Sequence, residues 1–139
     1  MTSQLSLFNM PTLNVLPSVK ERMAAAAKGS GMSREQLCDR MNELADRYGV
    51  RLAGGRCRRL NLDTLEKWLN PNNSEHFPSI KALPVFCAAT GDISPMQAMV
   101  DPLGGMVIND QDARLLQWAR LFHSARETNR RMKKLEAEL

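Results

Sequence analysis

The sequence predicts an all-α fold, and three observations carry that expectation. Aromatic residues are only 5% of the 139 while Ala, Leu and Met are plentiful, a composition that favours helices over a β-sandwich. Apolar residues recur at helical spacing: Leu37, Met41, Leu44 and Tyr48 fall at i, i+4, i+7 and i+11, and Leu62, Leu65 and Leu69 at i, i+3 and i+7. Boundary signals stand at the ends of these stretches. Ser33 answered by Gln36 is a capping box, and the Leu62–Leu69 stretch is preceded by Asn61 and stopped by Pro71.

Residues 1–17 read as an apolar arm, with Leu5, Leu7, Phe8, Leu13, Val15 and Leu16 among polar residues and two prolines. The arm either packs along the domain or binds a partner. A helix-rich domain is expected over 18–104. Its first helix follows Ser18 and runs to about Lys28, with Val19, Met23 and Ala26 or Ala27 on one face, and Gly29-Ser30-Gly31 breaks it. The second spans Ser33 to Tyr48, with Glu43 and Arg47 as an i,i+4 ion pair.

The segment Gly49 to Leu60 carries Arg51, Arg56, Arg58 and Arg59 and no acid, and its Gly54-Gly55 could turn a β-hairpin. It is either a basic finger for phosphates or a mobile, solvated loop. The third helix is capped by Asn61, stapled by Leu60 and Leu65, and made amphipathic by Leu62, Leu65, Trp68 and Leu69. After a polar loop, Pro78 or Ser79 starts a fourth helix with Ile80, Leu83, Phe86, Cys87 and Thr90 inward. Pro84 should kink it or reset its start. A fifth short helix follows Ser94-Pro95, serine capping and proline leading, and Gly104-Gly105 marks a boundary.

Residues 105–139 hold a long final helix opened by Asn109 or Asp110. Trp118, Leu121, Ala125, Thr128, Met132, Leu135 and Leu139 step alternately by three and four, a heptad seam suited to a homodimer. The other reading docks Leu115, Trp118 and Phe122 on the domain and leaves the rest solvated.

Taken in order, SREQL, NLDTLEKWLNP and a proline-led helix ending in ATGD resemble the lambda-repressor/Cro-type helix-turn-helix domain, over roughly Val19 to Gly91. That resemblance implies that the short third helix enters the DNA major groove while the helix before it touches the backbone. Two departures stand out: the second helix is about twice the usual length, and the basic segment replaces the usual tight turn. The whole chain, with LSLFNMPTLNVLP at its start and a basic tail helix, also resembles small proteins of transposable, Mu-like bacteriophages, which brings no activity with it.

Cys38, Cys57 and Cys87 are odd in number and widely spaced, and His76 and His123 are isolated. That spacing argues against a disulfide framework and against a metal site. No apolar run reaches the ~20 residues of a membrane span, and no secretory signal opens the chain, so a cytoplasmic location is expected. No catalytic ordering of Ser, His and Asp and no phosphate-cradling glycine loop is present. Neither enzymatic activity nor a cofactor or small-molecule substrate is expected.

The expected function is a sequence-specific DNA-binding regulator with double-stranded DNA as partner. The helix over about 61–70 would read bases through Asp63, Lys67 and Asn70, with Ser33, Arg34 and Gln36 on the backbone. Arg51, Arg56, Arg58 and Arg59 would lie on phosphates. The net charge of +4 permits this without demanding it. Because Asp63 and Glu66 repel phosphates, the alternative is a non-enzymatic protein-interaction adaptor on the same scaffold. Dimerisation is expected through Trp118, Leu121, Ala125, Met132, Leu135 and Leu139.

Overall fold

The computed structural model describes residues 12–54 and 59–139. Among them every regular element is helical: α1 Leu16–Gly29, α2 Arg34–Tyr48, α3 Leu62–Leu69, α4 Ala82–Thr90, α5 Ser94–Val100 followed by a 3-10 turn Asp101–Leu103, and α6 Asp110–Glu138. No strand occurs among the described residues. Of the expected hairpin, Gly55, Arg56 and Arg58 lie outside them, as does the arm up to Pro11, and its described flanks, 50–54 and 59–60, form no strand. Among the described residues no helix is long and apolar enough to cross a membrane.

The chain divides into two compact units, one ending at Val107 and the other Ile108–Leu139. In the first, α1 packs on α5, α3 and α4, while α2 packs on α4 and α3. Met23, Leu37, Met41, Leu65 and Phe86 are completely enclosed at its centre. The second unit is α6 alone, none of whose residues is buried. Its N-terminus is capped by Asn109, whose Oδ1 accepts from the Asp112 N–H at 2.8 Å, and two first-turn acids, Asp110 and Asp112, favour that end of the dipole.

Local chemistry sets most boundaries. Pro17 starts α1 one turn earlier than a helix begun after Ser18, because proline's fixed φ suits the first helical positions. The capping box at α2 is fully formed. Ser33 Oγ accepts from the Gln36 N–H at 3.1 Å, and Gln36 Oε1 accepts from the Ser33 N–H at 2.9 Å. Gly49 ends α2 in the left-handed region (φ +67°), which glycine enters without a Cβ penalty. The Glu43–Arg47 pair forms at 3.4 Å.

Three expectations need correction. Tyr48 is 71% exposed, so the apolar stripe of α2 ends at Leu44. Ile80 is 84% exposed, because α4 begins only at Ala82 and Ile80 sits in the turn before it. Pro84 therefore falls in the first turn of α4, where its missing N–H costs nothing, and the start is reset rather than the helix kinked. Ser94 does not cap α5; it is the first residue of that helix, and Asp92 Oδ1 accepts from its N–H at 2.8 Å.

Phe86→Ala should cost about 3–5 kcal/mol in urea denaturation, while Ile80→Ala should stay within about 0.5 kcal/mol. Burial, helped by Asp92 and opposed by a hydrogen bond from the Met96 backbone, pushes the Cys87 thiol up from 9.0 to about 11. A thiol raised in the folded state adds stability that is complete below pH 9.0 and is lost as pH rises through about 11. The stability gap between the wild type and Cys87→Ala should accordingly shrink across that window.

Candidate nucleic-acid interface

Helix α3 is only eight residues long, too short to persist alone, and both its ends are held by buried side chains of other helices. At the start, Asn61 Oδ1 accepts from the Thr64 N–H at 2.7 Å, and the staple positions Leu60 and Leu65 are both buried. Just ahead of the cap, Asn42 of α2 engages Leu60 twice. Its Oδ1 accepts from the Leu60 N–H at 2.8 Å, and its Nδ2 donates to the Leu60 carbonyl at 2.8 Å. The Cys38 thiol also donates to that carbonyl, at 3.2 Å.

At the other end lies Lys20 of α1, completely enclosed. Its Nζ donates to the carbonyls of Lys67 at 2.9 Å and Asn70 at 3.2 Å. These carbonyls close a helix C-terminus, where a cation meets the negative end of the dipole. Burial holds the Lys20 amine below its usual pKa.

Leu65, Trp68 and Leu69 are the side of α3 that faces the core. Asp63, Glu66 and Asn70 are exposed and Lys67 is half-buried. Lys67 Nζ lies 3.1 Å from Asp63 Oδ2, an i,i+4 pair, and Asn70 Oδ1 accepts from the Asn72 N–H at 3.0 Å. Exposed Arg34 begins α2, and it lines one shallow depression with Glu66, Asn70 and Pro71. The start of α2 and the end of α3 therefore open onto one face. Ser33 and Gln36 stand beside it, with the capping box occupying Ser33 Oγ and Gln36 Oε1.

The arginines of the basic segment are placed differently. Arg59 pairs with Asp46 at 2.9 Å and lines a second depression with Asn61 and Thr64, beside the start of α3. Arg51 borders a groove with Tyr48, Lys81 and Val85, at the far end of α2 from Arg34. The expected DNA-binding residues thus gather around α3 except for Arg51, while Arg56 and Arg58 lie outside the described residues. Among the described residues no cluster of His, Cys, Asp or Glu could hold a metal ion.

Sequence reasoning passed over Lys20 and Asn42. A signal existed: Lys20, Met23 and Ala27 fall at i, i+3 and i+7, and Cys38, Asn42 and Ala45 at i, i+4 and i+7, so each polar residue shares its helix's apolar face. Asn42→Leu removes the partner of the Leu60 N–H and one of the two donors to its carbonyl. The expected cost is about 2–4 kcal/mol by denaturant titration.

Comparison with protein-family models, with curated proteins and with solved structures found no match; the reading of this face rests on its own geometry.

Proposed function

We propose that this chain is a sequence-specific DNA-binding regulator of phage or prophage type. In this reading it works in the cytoplasm, as a homodimer joined through α6, and catalyses no reaction. The observation that carries the reading is the shared face of Arg34 and the outer side of α3, presented by a helix fixed at both ends. In the helix-turn-helix arrangement α3 lies in the major groove, while Arg34 and the first-turn N–H groups of α2, next to Ser33 and Gln36, meet the phosphate backbone. Asp63 and Glu66 accept from cytosine amino groups, and Asn70 and Lys67 serve other base edges. Affinity then comes from Arg56, Arg58 and Arg59, with Arg59 exchanging Asp46 for a phosphate, while Arg51, at the far end of α2 from Arg34, is left out of this face.

One observation favours the adaptor reading instead. The outer side of α3 carries Asp63 and Glu66 against a single lysine already paired with Asp63, a surface that repels phosphates and suits a basic patch on another protein.

Replacing Arg56, Arg58 and Arg59 together by alanine should weaken duplex binding and lower the slope of log K against log salt by up to about three. Asp63→Ala should alter base preference with little change in that slope. If the wild type gives no salt-dependent mobility shift with any duplex, the regulatory reading is overturned. A partner retained in pull-downs from nuclease-treated lysate then supports the adaptor.

A further inference from the structure

Helix α6 leaves a long apolar seam uncovered: Trp118 is 60% exposed, Leu121 65%, Met132 53% and Leu135 62%. Over its 29 residues the helix is about 43 Å long, and one helix cannot bury its own face. We propose that a second copy of this chain covers the seam as a parallel, in-register, two-stranded coil. The charge pattern selects that orientation. This rests on the homodimer of the proposed function and adds its direction.

With Trp118, Ala125 and Met132 at a positions and Leu121, Thr128 and Leu135 at d, the flanking g positions are Gln117, Ser124 and Arg131. The e positions are Phe122, Asn129 and Glu136. In a parallel pair each g residue meets the e residue five positions on in the other chain. Arg131 then faces the partner's Glu136, and symmetry makes this contact twice. Ser124 faces the partner's Asn129, Gln117 faces the partner's Phe122, and between Gln117 and Glu136 no like charges meet at these flanking positions.

An antiparallel pair that fills the same layers sets Trp118 on the partner's Leu135 and Leu121 on the partner's Met132. It places Arg131 beside the partner's Ser124 and Phe122 beside the partner's Asn129, so no opposite charges meet. Of the other cations, Arg120, Arg126, Arg130, Lys133 and Lys134 fall at b, c and f, on the outside of either pair, and Arg114 falls at d one heptad ahead of Leu121. From Trp118 onward the positive charge of the helix therefore does not oppose contact at the seam.

The test uses the full chain in sedimentation equilibrium at tens of micromolar, with Arg131→Glu and the swapped pair Arg131→Glu/Glu136→Arg. The wild type should be a dimer, the single variant should dissociate roughly fivefold or more readily, and the swap should recover most of that loss. Spin labels on Gln117→Cys, with Cys57 replaced by serine, should lie within roughly 20 Å of each other in a parallel pair; an antiparallel pair holds them roughly 30 Å apart. A wild-type monomer overturns the homodimer itself. A dimer with the long distance, or one indifferent to the Arg131 substitution, leaves the homodimer standing and overturns its parallel direction.

Discussion

Lys20 and Asn42, the two polar side chains buried among the described residues, both serve one eight-residue helix. Enclosing an ammonium or an amide is costly unless its hydrogen bonds are made. Here they are made to backbone groups at the two ends of α3. Because α1 supplies one clamp and α2 the other, the position of α3 follows from the packing of those two longer helices. The apolar contacts of Leu65, Trp68 and Leu69 press the helix onto the core, and the polar contacts set where along the core it stops. Hydrophobic burial alone is non-directional and would tolerate sliding.

Ion pairs across the first unit have a different character. Arg22 with Asp101, Arg59 with Asp46, and Lys67 with Asp63 are all substantially exposed, so each contributes little to stability and opens readily. The pairs of Arg59 and Lys67 stand beside the proposed DNA-binding face. Both pairs are bonded at the surface, where water and salt weaken them. Stability is thus concentrated in the core and the two clamps, and the outer charges are left to other uses.

Much of this architecture was legible in the sequence because it is set by chemistry within a few residues. The capping box at Ser33 and Gln36, the Asn61 cap and the Leu60/Leu65 staple are each complete within one or two helical turns. The outward set Asp63, Glu66 and Asn70 follows once Leu65, Trp68 and Leu69 are turned inward. What periodicity could not supply is where a packing partner ends. Tyr48 continues the stripe of α2 and Ile80 begins that of α4, yet each stands at the rim of a surface groove, left largely exposed. Likewise, the meeting of Arg34 with Asn70 and of Arg59 with Asp46 depends on tertiary packing that no local spacing encodes. Lys20 and Asn42 were hidden for another reason: their residue types belong on the surface by default, and only their position on an apolar face contradicts that default.

Both clamps recognise main-chain atoms. Lys20 meets the carbonyls of residues 67 and 70, and Asn42 meets the peptide groups of residue 60. Neither inspects the side chains displayed on the solvent side of α3. The two clamps are consequently blind to what those positions spell: Glu66 can be exchanged without touching either, whereas Asn70 also holds the following turn through the Asn72 N–H. The interior fixes where the helix lies and leaves most of its outer lettering unread.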